Sequence, residues 1–323
     1  MGERRRLQDI GAVYLVSNVT LEGQAFMTPC DAVNTIITNN LAWAADRRRI
    51  KLFAYHFNPE AFAMIVGAPC LNLGSFMGDF QGLTAREINA HNGRTGQFWG
   101  GRYQSTRLLD DGAIIEALGR VLCGPVTAGL VPSPDDWEGV SSLELHRSGE
   151  ALVGRREDRA RYRDILRADP ELSQAEARRR ATTTHTVELA KLSPWRDQTH
   201  MAYHRTVCAT AADYALAIDA AHTTRCLGMA EVKTLPITRR LARRWRREPL
   251  CSAGCPSTAH AFHERFADLN LTYDNAAAAL RRGRKPLPFP HGMIPPHLMR
   301  AVGSRRTLPR GSARSSPTTG RAA

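Results

Sequence analysis

The 323-residue sequence has no run of about 18 apolar residues, the length a membrane-spanning helix needs. Its basic start, MGERRRLQDIGAVYLVSNVT, leads into a short alternating segment, the pattern of a strand and not of a signal peptide. Its seven cysteines are an odd, mostly scattered set, so reduced thiols in a cytoplasm are expected instead of a disulfide framework. Acidic residues are under-represented: 31 Asp+Glu face 44 Lys+Arg, the formal net charge is +13, and no acidic residue follows Asp274. Such a balance favours a polyanionic partner, nucleic acid first, because Lys and Arg that neutralise phosphates release counterions. No internal repeat is visible. The 43% hydrophobic content still suffices for a packed core, in one large domain or two ordinary ones.

The apolar residues fall into ordered elements. Ala12 to Val19 is β-branched and aromatic over the length of a strand. A helix follows, for which Thr28 offers a cap, Pro29 a first helical residue and Asp31 a negative charge at the positive end of the dipole. Val33, Ile36, Ile37, Leu41 and Ala44 form its stripe. Strands are expected over Ile50–Phe57 and Phe62–Val66, broken by Asn58-Pro59-Glu60. A helix around Ser75–Asn92, a turn and strand in GRTGQFWGGRYQSTRLL, and a helix capped by Asp110 and Asp111 complete the series. The order β-α-β-β-α-β-α predicts an α+β fold: a ferredoxin-like antiparallel sheet with helices on one face.

Beyond Ser142 the pattern changes. Four segments are expected: a ferredoxin-like DNA-binding domain over residues 1–145, a charged linker or helix over 146–182, a basic, mostly helical C-terminal extension over 183–300, and a disordered basic tail over 301–323. Within the extension, TRRLARRWRREPL places Arg243, Arg244 and Arg246 around Trp245, as in a phosphate-tracking helix with one stacking aromatic. Cys251, Cys255, His260 and His263 have the residue types of a tetrahedral zinc site. Their Cys-x3-Cys-x4-His-x2-His spacing is too compressed for a finger, so zinc is not expected. His200 and His204, four apart, offer a ligand pair without a third partner, which favours a helix surface.

The first 140 residues resemble a family. GAVYLVSNVT, RRRIKLFAYHFNPEAFAMIV, GRTGQFWGGRY, and GPVTAGLV followed by DDW stand in the order and at the intervals of the single-tyrosine insertion-sequence transposases, particularly their REP-associated relatives. The resemblance runs from about Gly11 to Trp137, under half of the chain. It implies an enzyme in which two His flanking one hydrophobe hold magnesium or manganese, a helical Tyr attacks a DNA phosphate, and an Asn one turn on completes the metal shell. In this sequence those positions fall on Ala61, Ala63, Arg120 and Gly124, and the Asn before the first His falls on Glu60. A methyl group cannot ligate a metal, and a guanidinium has no nucleophilic electron pair. The expectation is therefore a transposase-like DNA-binding protein that does not catalyse transposition and needs no cofactor. Arg120 offers a cation where metal and nucleophile would meet the phosphate. The other expected contacts to single-stranded or hairpin DNA are Arg94, Trp99, Arg102, Tyr103 and Arg107, and the family implies a homodimer. Alternatives are a metal-dependent nicking enzyme with other ligands, His56 and Glu60 among them, and a partner-binding protein reusing the fold.

Overall fold

The computed structural model describes residues 5–221, 226–241, 248–282 and 287–295. Its elements run β1 (Val13–Val19), α1 (Asp31–Arg48), β2 (Lys51–Phe57), β3 (Ala61–Gly67), α2 (Leu73–His91), β4 (Gln104–Leu108), α3 (Asp111–Leu122) and α4 (Gly124–Thr127). Then follow α5 (Leu143–Ser148), β5 (Leu152–Glu157), α6 (Arg159–Ala168), α7 (Gln174–Ala181), β6 (Thr182–Val187), α8 (His200–Ala221), α9 (Met229–Lys233), β7 (Cys251–Ser252) and α10 (Pro256–Arg281). The described residues within Leu7–Ala267 form one compact unit; those within Met1–Arg6 and Asp268–Ala323 form another. In the smaller unit, Arg5 pairs with Asp274 at 2.5 Å and its guanidinium lies 4.3 Å from the centroid of Tyr273.

The α+β class is as expected. The central sheet has the order β2-β3-β1-β4-β7, and its first four strands are antiparallel in the ferredoxin-like arrangement. In register, β1 meets β3 at Ser17↔Ala63 and Val19↔Ala61, and β2 meets β3 at His56↔Ala63. The short β7 adds a parallel strand beside β4, so the sheet is mixed. The free edge of β2 is covered by residues 140–142, with Phe57 N donating to Val140 O at 2.9 Å and Tyr55 N to Ser142 Oγ at 2.9 Å. Covering an edge in this way prevents strand addition.

The expectation of helices on one face needs correction. Tyr14, Val16, Tyr55, Phe57, Phe62 and Met64 pack under α1 and α2, as predicted. The opposite face carries Val13, Leu15, Phe53 and Ile65, which pack against α3 and against Tyr203, Val207 and Ala211 of α8. A sheet apolar on both faces must be covered on both, and the C-terminal extension supplies part of that cover. Thr28 does not cap α1 either: its hydroxyl donates to Ala25 O at 3.0 Å, and Cys30 occupies the cap position without a side-chain bond. Asp110 does cap α3, accepting from Ala113 N at 2.9 Å.

The stretch expected as a charged linker or helix contains β5, α6 and α7, and the segment from Thr183, expected as helix, opens as strand β6. Thr182–Val187, TTTHTV, is almost entirely β-branched, and it pairs with β5 as a two-stranded ribbon. The ribbon lies across α1 because Gly154 has no side chain: a Cβ there would stand 2.7 Å from Ala42 Cβ and 2.9 Å from Asn39 Cα. No described helix is long and apolar enough to cross a membrane. The tail, residues 301–323, lies outside the described residues.

Candidate functional site

Ala61 and Ala63 stand on β3, both half-buried, and Ala63 packs among the residues beneath α3. Antiparallel pairing puts His56 directly opposite Ala63 on the same face. The chain then returns at the end of α3 so that Gly124, the first residue of α4, lies against His56. A Cβ at 124 would fall inside the van der Waals envelope of the His56 ring at Cδ2, Cε1 and Nε2. The buried imidazole thus fills the space between two positions whose own side chains are a methyl group and a hydrogen.

The electrostatics of this corner suit a neutral packing group. Burial lowers the His56 pKa to about 4, against a hydrogen bond to the Val121 backbone that favours the cation. Burial raises the Glu60 carboxyl to about 7. His56 Nδ1, Asn58 Oδ1 and Glu60 Oε2 are all buried without a hydrogen-bond partner among the described residues. The ligand set implied by the family does not fit here: Ala61, Ala63 and Gly124 have no donor atom, and an imidazole stands where the last ligand would project.

Among the six described residues expected to touch DNA, Arg94, Trp99, Tyr103 and Arg107 are engaged in the fold. Arg94 lies 3.6 Å from the centroid of Phe26, bonds Asn89, and donates to Gln97 O at 3.1 Å. Trp99 Nε1 donates to Gln81 O at 3.0 Å while its ring meets Phe62 and Phe98 edge-on. Tyr103 is buried in the core under α1 and α2. Arg107 is paired with Asp9 and lies 5.7 Å from the centroid of Phe262. Arg102 is exposed. Arg120 is half-buried near the end of α3, and its charge acts on Tyr214, whose ring lies on Gly119. Arg243, Arg244, Trp245 and Arg246 lie outside the described residues. The PVTAGLV motif also has a packing role: Val126, Leu130 and Val131 bury against Trp137 of the DDW motif and against Val232.

Of the zinc candidates, only Cys251 and His263 meet, at 3.6 Å. Exposed Cys255 pairs with Ser257 at 3.0 Å, and His260 with Glu264 at 3.2 Å. Among the described residues, no group of three or more His, Cys, Asp or Glu is placed to hold a metal ion.

His204 gains a partner that spacing did not reveal. His146, fully buried on α5, meets His204 Nδ1 through its own Nδ1 at 3.2 Å, and His204 Nε2 meets His200 Nε2 at 3.1 Å. His146 Nε2 lies 3.0 Å from Phe53 O, which can only accept, so this nitrogen carries the proton. With neutral rings, His204 then donates to His146, and His200 donates to His204. The rings run head to tail and converge on no common point, which makes them a hydrogen-bond chain and not a ligand set. Burial, then the neighbouring His204, lowers His146 to about 4. Only the non-local return of α5 to α8 could reveal this, since His146 and His204 are 58 residues apart.

No family model matches the sequence, and no curated protein matches it. Among solved structures, the chain is similar to a REP-associated tyrosine transposase bound to a REP hairpin, at TM-score 0.40 and 14% identity over 46% of this chain and 86% of that one. It is also similar to a candidate transposase from Deinococcus radiodurans R1, at TM-score 0.26 and 19% identity over 32% of this chain and 84% of that one. At these scores and identities the likeness establishes neither chemistry nor partner.

Proposed function

We propose that this protein binds DNA in single-stranded or hairpin form without cutting it. The observation that carries the reading is the corner between β2, β3 and α4. At the positions where the sequence resemblance places two ligands, a nucleophile and a third ligand stand Ala61, Ala63, Arg120 and Gly124, and His56 packs into the space. The +13 charge supplies the affinity for a polyanion. Arg120 contributes a cation beside that corner; a homodimer accompanies the reading through the family resemblance alone, and a cytoplasmic location through the odd, scattered cysteines.

The test is incubation with end-labelled hairpin and single-stranded DNA plus magnesium or manganese. Salt-dependent retention is expected, with no shortened strand and no covalent protein–DNA adduct. Cleavage or an adduct would overturn the non-cutting reading, and absence of binding at low salt would overturn the DNA reading. In the same assay Arg120→Ala should weaken binding several-fold and reduce the salt slope by about 1; an unchanged slope removes Arg120 from the interface.

A second reading has one observation in its favour. His56 Nδ1, Asn58 Oδ1 and Glu60 Oε2 are buried and unpartnered at one hairpin end, and native buried polar atoms are rarely left so. If these atoms support a metal-dependent nick, cleavage will be seen, and Glu60→Gln will abolish it while leaving binding intact.

A further inference from the structure

We propose that the groove formed by α1, α2, the β5–β6 ribbon and the start of α6 binds the phosphate backbone of nucleic acid, on the opposite side of the central sheet from His56 and Gly124. The inference rests on the DNA-binding reading and names the surface that does the binding. The groove has a volume of about 780 Å³, and its lining includes Trp43, Arg86, Arg155, Arg156, Arg159 and Arg178.

The groove is built on a fixed floor. Gly154 lets β5 approach α1 closely, and Arg155 N donates to Asn39 Oδ1 at 2.7 Å. Arg156 donates to Asn40 Oδ1 at 2.7 Å, pairs with Glu87 at 3.6 Å, and lies 4.7 Å from the centroid of Trp43. Asn40 is itself fully buried and donates to Glu87 Oε2 at 2.9 Å. Arg156 is thus held by an amide, a carboxylate and an aromatic ring.

The acidic residues of the lining are already committed. Glu87 serves Arg156 and Asn40, and Glu157 lies 3.8 Å from Arg178. Asp158 caps α6, accepting from Ala160 N at 2.8 Å and Arg161 N at 3.1 Å. Arg86, Arg155 and Arg159 are exposed and make no ion pair among the described residues. Burial lowers the Arg156 pKa; Glu87 opposes this, and the charges of Arg86 and Arg159 add to it. Six arginines line the groove against three carboxylates, so the positive charges outnumber their counter-charges and repel one another, and a bound polyanion removes that repulsion.

The arrangement fits a backbone better than a base. Trp43 is attended by Arg47 at 5.4 Å and Arg156 at 4.7 Å from its centroid, so its ring is taken by guanidinium groups. The free cations come from three separate elements, α2, β5 and α6, which suits successive phosphates and not one small ligand. The segment carrying Arg155 and Arg159 is the part of the sequence that most resembles a solvated charged linker, so its folding against α1 gives those charges a fixed place.

The test compares the full-length protein with a groove variant, Arg86→Gln/Arg155→Gln/Arg159→Gln. A charge-matched control, Arg163→Gln/Arg167→Gln/Arg179→Gln, changes arginines outside the groove lining. Binding of a labelled single-stranded oligonucleotide is measured across salt. The groove variant should lose at least tenfold in affinity at low salt, and its log–log salt slope should fall by about 2, near 0.7 per lost phosphate contact. The control should move the slope by much less. Equal losses in both variants mean that net charge alone acts and overturn the groove. An unchanged groove variant beside a binding wild type also overturns it, while leaving the DNA reading intact. No binding by the wild type overturns both. Should the triple variant misfold, Arg159→Gln alone, at the exposed start of α6, should reduce the slope by about 0.7, and no reduction counts against the groove.

Discussion

Gly124→Ala is expected to destabilise the protein by about 3 kcal/mol, at the upper end of overpacking costs in a filled core. The new methyl group would overlap the His56 ring, and that ring has no easy escape, being buried between strand β3 and α4 and bonded to the Val121 backbone. His56→Ala alone should also destabilise, by opening a cavity. Combined, the two substitutions should cost less than their sum, because the removed ring makes room for the added methyl. Chemical denaturation of the four proteins of this cycle measures the coupling. Strict additivity, or a Gly124→Ala cost below about 0.5 kcal/mol, would falsify the close packing described here.

The same contact governs any attempt to install the ligands and nucleophile that the family resemblance implies. Introducing Ala61→His, Ala63→His, Arg120→Tyr and Gly124→Asn together should give a destabilised protein that does not cut hairpin DNA. An Asn at 124 has the forbidden Cβ, and His56 occupies the volume its amide would need. Adding His56→Ala should recover stability. The constellation that the family resemblance implies is therefore excluded from this corner by packing as well as by absent donor atoms.

Stability is expected to fall by about 3 kcal/mol between pH 7 and pH 4. His56 and His146 are each held near pKa 4 by burial, against an ordinary value of 6.5. A depressed histidine pKa contributes stability that is fully present above 6.5 and is lost as pH falls toward 4, because the unfolded chain takes up the proton first. Each ring accounts for on the order of 3 kcal/mol. Glu60 acts in the opposite sense: its carboxyl, raised from 4.5 to about 7, contributes stability that is complete below 4.5 and is lost as pH rises through 7. It offsets roughly one of the two histidines, which leaves the net acid loss stated. Glu60→Gln should remove the offset and make the acid loss about twice as steep. Urea midpoints across pH check the sum. Imidazole resonances of His56 and His146 that titrate near 6.5 in the folded protein would sink the explanation. Protonation of His146 would also reverse the donor order with His204, so the histidine chain should break in the same window.

Local signals suffice for much of this fold. The β-branched and aromatic run of β1, the Asn58-Pro59-Glu60 break and the Asp110 cap are properties of short stretches, and each places its element within a few residues. They misled at Thr182–Val187, where the surrounding Ala- and Arg-rich sequence obscured a β-branched run, and at Thr28, whose hydroxyl finds a nearer carbonyl. The sequence by itself determined that Ala61, Ala63, Arg120 and Gly124 cannot ligate a metal or attack a phosphate, because donor atoms and charge belong to residue identity. Only the tertiary structure decided what fills that corner. His56 and Gly124 are 68 positions apart, and their contact depends on where α3 ends over the sheet. The Arg155–Arg159 groove and the His146–His204 chain are equally non-local. A side chain's charge is fixed by its identity, but whether it is solvated, paired or held beside like charges depends on which distant segments the core brings together.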